Sequence, residues 1–144
     1  CSAEYCVYVV FVPANVNSKN YSGVLKKNSI DVMISYADGN GKIQEETFKD
    51  IKTNVDSLQE VPGMTAKIDT TYVGNITFPT SYLGLSSSSS QIYSPYMRIR
   101  SRVSNRETSI YDRTLRIDCL ILRPKALDDY IKAHPDYKYD RGLY

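Results

Sequence analysis

Arg98, Arg100 and Arg102 recur at every second position, and Tyr96 stands two residues ahead of them. On an extended strand such residues project from one face at about 6.5–7 Å spacing, so they form a basic row with a tyrosine able to stack on a guanidinium at its end. Guanidinium groups so placed hold an acidic protein surface, an anionic glycan or a lipid headgroup through charge-assisted hydrogen bonds. The competing reading is a solvated strand face whose charges deter edge pairing.

Residue types suited to catalysis are few. His134 is the single histidine and is followed by Pro135. No serine in a nucleophile-elbow pattern and no histidine at metal-ligand spacing accompanies it, which argues against a Ser–His triad and a multi-histidine metal site. Two carboxylates can meet from anywhere in a fold to do acid–base work, but Asp112, Asp118, Glu45 and Glu46 read more simply as surface charges. The segment from Asp38 to Ile43 resembles the middle of an EF-hand calcium loop. Setting Gly41 at that loop's invariant glycine puts Tyr36 at the first ligand position and Thr47 where a bidentate glutamate belongs, so a hairpin turn fits better. The expectation is a noncatalytic protein with no metal and no cofactor.

Cys1 heads the chain and is followed by Ser2 and Ala3. This is how a bacterial lipoprotein looks after its signal peptide is removed at the lipobox, when the new terminal cysteine carries lipid. Lipidation at Cys1 would leave Cys6 and Cys119 in an oxidising compartment, either as a disulfide pair or as two buried thiols behaving like small hydrophobes. The longest apolar run, residues 7–13, is strand-sized and falls short of the roughly 18–20 residues of a membrane-spanning helix.

Lysine and arginine number 18 against 16 acidic residues, a net charge of +2 that favours no nucleic-acid partner. The chain has 13 tyrosines and no tryptophan. Tyr82, Tyr93, Tyr137, Tyr139 and Tyr144 fall in expected loops or the tail, where they suit a protein interface or a sugar-stacking platform. The tripeptides at Asn20 and Asn75 match the N-glycosylation acceptor, which matters only in a eukaryotic secretory protein. Those at Asp56 and Asp69 resemble a short O-glycosylation acceptor of exported Bacteroides-group proteins.

These side chains must be positioned by strands. Residues 5–13 are apolar on both faces, which suits a strand covered on both sides. Ile30, Val32, Ile34 and Tyr36 alternate with Asp31, Met33 and Ser35, predicting a strand with one better-buried face. Asp38-Gly39-Asn40-Gly41 then predicts a hairpin to a returning strand over 42–48. The spacing of Phe48, Ile51, Val55 and Leu58 predicts a short helix or helical loop. Further strands are expected over 66–78, 96–103 and 115–122, separated by a serine-rich loop over 79–94. Pro124 opens a short helix with Leu127, Tyr130 and Ile131 on its apolar stripe, stopped at His134-Pro135.

A chain of 144 residues is the size of one domain. The expected organisation is a lipid-anchor N-terminus over residues 1–4, a β-sandwich over 5–123, and a short helix with a polar tail over 124–144. Strand signals with little helix predict an all-β, antiparallel, Ig-like sandwich. The segment Tyr96-Met97-Arg98-Ile99-Arg100 resembles a fibronectin type III strand. With Cys1 as anchor, tyrosine-rich strands and no catalytic set, the whole chain resembles the single-domain Ig-like β-sandwich lipoproteins of the Bacteroides group. That resemblance implies a cell-envelope protein lipid-anchored to the outer membrane, on its periplasmic or surface face. It implies an accessory role in binding another envelope protein, with Tyr96, Arg98, Arg100 and Arg102 as contacts, or alternatively in capturing an anionic glycan.

Overall fold

The doubly apolar segment near the N-terminus becomes a central strand, as its pattern demands. In a computed structural model, which describes residues 3–11, 26–38, 40–53, 69–78 and 94–137, this is β1 (Ala3–Phe11). It lies between β4 (Asp69–Phe78) and β6 (Ile117–Pro124), antiparallel to both. A second three-stranded antiparallel sheet has β2 (Ser29–Ala37) at its centre, flanked by β3 (Ile43–Lys52) and β5 (Tyr96–Ser101). The protein is thus mostly antiparallel strand, in two three-stranded sheets, with one short helix, α1 (Lys125–Ala133).

The core lies between the sheets. Val7, Val9 and Phe11 from β1 meet Ile30, Val32, Ile34 and Tyr36 from β2, and Val73 and Ile76 of β4 complete the cluster. The opposite face of β1, with Cys6, Tyr8 and Val10, is also buried, and α1 packs against this strand. In β2 the expected difference between a better-buried and a less-buried face is small, since Asp31, Met33 and Ser35 are buried as well.

The hairpin forms as expected. The Asp38 amide donates to the Lys42 carbonyl at 2.8 Å, and Gly41 takes a φ of 76° that favours glycine. Both Asp38 carboxylate oxygens serve this turn, Oδ1 accepting from the amides of Asn40 and Lys42 and Oδ2 from the Gln44 side chain. The helix expected from Phe48 onward is not formed over its first residues, since Phe48 and Ile51 both lie in β3. Their three-residue spacing is a β-bulge: Ile51 pairs with Ile30 and Phe48 with Val32, so Lys49 and Asp50 together oppose Asp31. The extra residue turns both apolar side chains toward the core, and Asp50 absorbs the distortion at a φ of 58°. Val55 and Leu58 lie outside the described residues.

A second bulge in β4 brings Gly74 beneath the Phe48 ring, where an added Cβ would overlap the ring edge. The sheets therefore close on each other along β3 and β4. At the other margin β5 and β6 make no comparable contact.

The Cys6–Cys119 disulfide is not formed, and the strand register gives the reason. Both are free thiols; Cys6 lies opposite Arg123 and Cys119 opposite Val10 on the adjacent strands β1 and β6. Four positions along a strand is about 13 Å, far beyond the reach of a disulfide. Cys1 lies outside the described residues.

Candidate functional site

Period-two alternation in β5 sends Met97 and Ile99 toward the core and leaves Tyr96, Arg98 and Arg100 exposed on the outer face of their sheet. Arg102 follows the strand end on the same side. The four residues expected to form a row are therefore brought together, but they are not equivalent. Antiparallel register places Arg100 beside Asp31 of β2, a carboxylate only 5% exposed.

Asp31 links three strands. Its Oδ2 accepts from Arg100 Nη2 at 3.0 Å and Nε at 3.3 Å; its Oδ1 faces Arg102 Nη1 at 3.4 Å and accepts the bulge amide of Asp50 at 3.1 Å. Burial pushes the Asp31 carboxyl upward, but the Asp50 amide and the two guanidinium groups outweigh it and hold the group below the usual carboxylate range. Arg100 and Arg102 thus spend much of their charge within the fold. Arg98 does not: it rests against Met33 Sδ at 3.5 Å and has no carboxylate partner among the described residues. All four residues of the row are exposed, Tyr96 at 46%, and Arg98 differs from the other two arginines in lacking the Asp31 carboxylate.

A second buried carboxylate lies on the far side of the molecule, beneath α1. Asp128, fully buried, accepts from the Tyr8 hydroxyl at 2.7 Å and from Arg123 Nη1 at 2.8 Å on Oδ1, while Lys132 Nζ stands 2.7 Å from Oδ2. Arg123 also lies over the Tyr8 ring, and Lys132 over the ring of Tyr72. Burial opposes the charge on Asp128, but pairing with Lys132, Tyr8, Arg123 and the Cys6 thiol reverses this and holds its carboxyl far below the usual range. Burial first, and then the hydrogen bond to Asp128, push the Tyr8 phenol up to about 12. The Cys6 thiol is raised by the same two causes.

Asp31 and Asp128 were not singled out as site residues from the sequence. A lone acid among apolar neighbours in an alternating strand was a usable signal for Asp31. For Asp128 the Asp–Lys spacing of four on a helix was visible, but its burial and its pairing with Tyr8 depend on a contact across 120 residues of chain.

The remaining acid and base candidates are dispersed. Asp112 pairs with Arg116 at 3.2 Å, Glu46 accepts from the Tyr36 hydroxyl at 3.0 Å, and Glu45 and Asp118 are exposed. His134 stacks on Tyr130 with centroids 4.1 Å apart, its Nδ1 lying 2.9 Å from the Tyr130 carbonyl oxygen. Tyr137 is exposed and meets Tyr130 edge-on; Tyr82, Tyr93, Tyr139 and Tyr144 lie outside the described residues. Among the described residues no three metal-ligating side chains come together, and no helix is long and apolar enough to cross a membrane.

Chemically, both buried carboxylates are fixed anions clamped by cations, so neither is suited to exchange a proton near neutral pH. What the arrangement offers to solvent is a cationic and aromatic strand face. Comparison with family models, with curated proteins and with solved structures finds no match for this chain.

Proposed function

We propose that this chain is a noncatalytic, Ig-like binding module of the bacterial cell envelope that engages another protein through the outer face of β5. The carrying observation is the gathering of Tyr96, Arg98, Arg100 and Arg102 on one exposed strand face, with Arg98 left unneutralised there among the described residues. An arginine and a tyrosine side by side are the residue types that dominate protein–protein binding energy. The two buried carboxylates support a noncatalytic role, because each is consumed in holding strands or helix in place. Lipid attachment at Cys1 is part of the same proposal and is tested by the intact mass of protein isolated from native membrane.

The binding reading is tested by cross-linking and co-purification from native envelopes. Arg98→Ser is the decisive variant, since Arg98 takes no part in the Asp31 clamp and its loss leaves the fold intact. A partner recovered with the wild-type chain and lost with Arg98→Ser supports the reading; unchanged recovery overturns it. Glycan capture predicts instead saturable binding to acidic polysaccharide that weakens with salt.

A further inference from the structure

The margin between β5 and β6 is where the two-layer architecture is unfinished. Leu120 and Leu122 pair in register with Val9 and Val7, so they share the core-facing side of their sheet. Yet they are 43% and 46% exposed, and Ile117 on the same strand is 37% exposed. The opposite margin is sealed by Phe48 over Gly74. Among the described residues the sheet β3-β2-β5 is thus one strand too narrow to cover β6.

Among the described strands, Met97–Ser101 of β5 has β2 on one side and no strand on the other, where this uncovered strip lies. Two half-exposed leucines make a strip well short of the roughly 800 Å² per partner that a standard stable interface buries. A second globular copy resting on this strip alone would not hold. An added strand would, because main-chain hydrogen bonds supply its affinity and alternate side chains its specificity.

We infer that the outer edge of β5, along Met97–Ser101, accepts one extended strand from a partner protein, with apolar residues facing Leu120 and Leu122 and acidic residues facing Arg98 and Arg100. The inference rests on the protein-binding reading above and gives that partner its chemistry. A strand laid beside β5 continues its sheet, so its inward side chains fill the space above the leucines, since packed sheets lie about 10 Å apart. Its outward side chains stand beside the arginine row. Charge complementarity there selects Asp or Glu at every second position and disfavours Lys and Arg.

The test is selection of a phage-displayed library of random decapeptides on the full chain, with the double variant Leu120→Lys/Leu122→Lys as counter-target. Both leucines are nearly half exposed, so the variant keeps its fold, which circular dichroism verifies; Leu120→Ser/Leu122→Ser replaces it if it does not. The expected result is enrichment of sequences alternating apolar with acidic residues. A synthetic peptide of that sequence slows exchange of alternate amides in β5 at least tenfold and binds the double variant at least tenfold more weakly. Selection on Arg98→Glu shifts the enriched charges from acidic to basic. No enrichment, enrichment without a period of two, protection away from β5, or equal binding to the leucine variant overturns the inference. Loss of the native partner in Arg98→Ser with no alternating peptide leaves protein binding standing and removes the strand. Alternating peptides with no Arg98-dependent native partner leave the strand site standing and remove the functional reading.

Discussion

Replacing Asp128 with Asn tests whether the buried cluster under α1 fastens the helix to the sheet. The substitution keeps shape and removes charge. Arg123, 16% exposed at its side chain, is left without its anion, which costs about 2 kcal/mol. The Tyr8 hydroxyl exchanges a charged acceptor for a neutral one, at about 1 kcal/mol. Lys132 is 65% exposed, so its pairing is screened and adds no more than about 0.5 kcal/mol. The sum, about 3 kcal/mol, corresponds to a melting temperature lower by roughly 10 °C for a chain of this size. Thermal and urea unfolding followed by circular dichroism measure it, with Lys132→Met as the control that changes little. A loss under about 1 kcal/mol for Asp128→Asn, or an equal loss for Lys132→Met, would refute the assignment of the energy to the buried partners. The pH dependence follows from the same groups. Asp128 has its folded pKa depressed, so its contribution is complete above its unfolded value near 4 and is lost as pH falls further. Tyr8 is raised to about 12, so its contribution is complete below about pH 10 and is lost as pH climbs toward 12. Tyr8→Phe removes that alkaline loss.

Asp31→Asn destabilises by about 1–2 kcal/mol, discounted because both arginine partners are about half exposed or more, and it speeds amide exchange at Asp50. Unchanged exchange at Asp50 would separate the bulge from this carboxylate. Gly74→Ala costs about 1–3 kcal/mol through overlap with the Phe48 ring, and Phe48→Leu in the same chain recovers part of it; strictly additive losses in a double-mutant cycle would exclude that contact. Native alkylation followed by peptide mapping modifies half-buried Cys119 well before buried Cys6, and a recovered Cys6–Cys119 disulfide peptide would contradict the β1–β6 register.

The sequence by itself determined the elements whose signal is local. A run apolar on both faces marked β1, alternation marked β2 and β5, the Asp38 to Lys42 turn chemistry marked the hairpin, and Pro124 with His134-Pro135 bracketed α1. Alternation also put Arg98 and Arg100 on one face, because a two-residue period requires nothing beyond an extended backbone. Only the tertiary structure decided what stands across from those faces. Phe48 and Ile51 read as helical because a bulge and a helical turn share a three-residue spacing, and only pairing with β2 separates them. Cys6 and Cys119 were compatible with a bond until register set them four positions apart. Asp31 beside Arg100, and Asp128 beneath α1 against Tyr8, join residues from distant parts of the chain. Side-chain period fixes a residue's face, whereas its partner, its burial and its charge state come from strand order and register, which are properties of the assembled sheets.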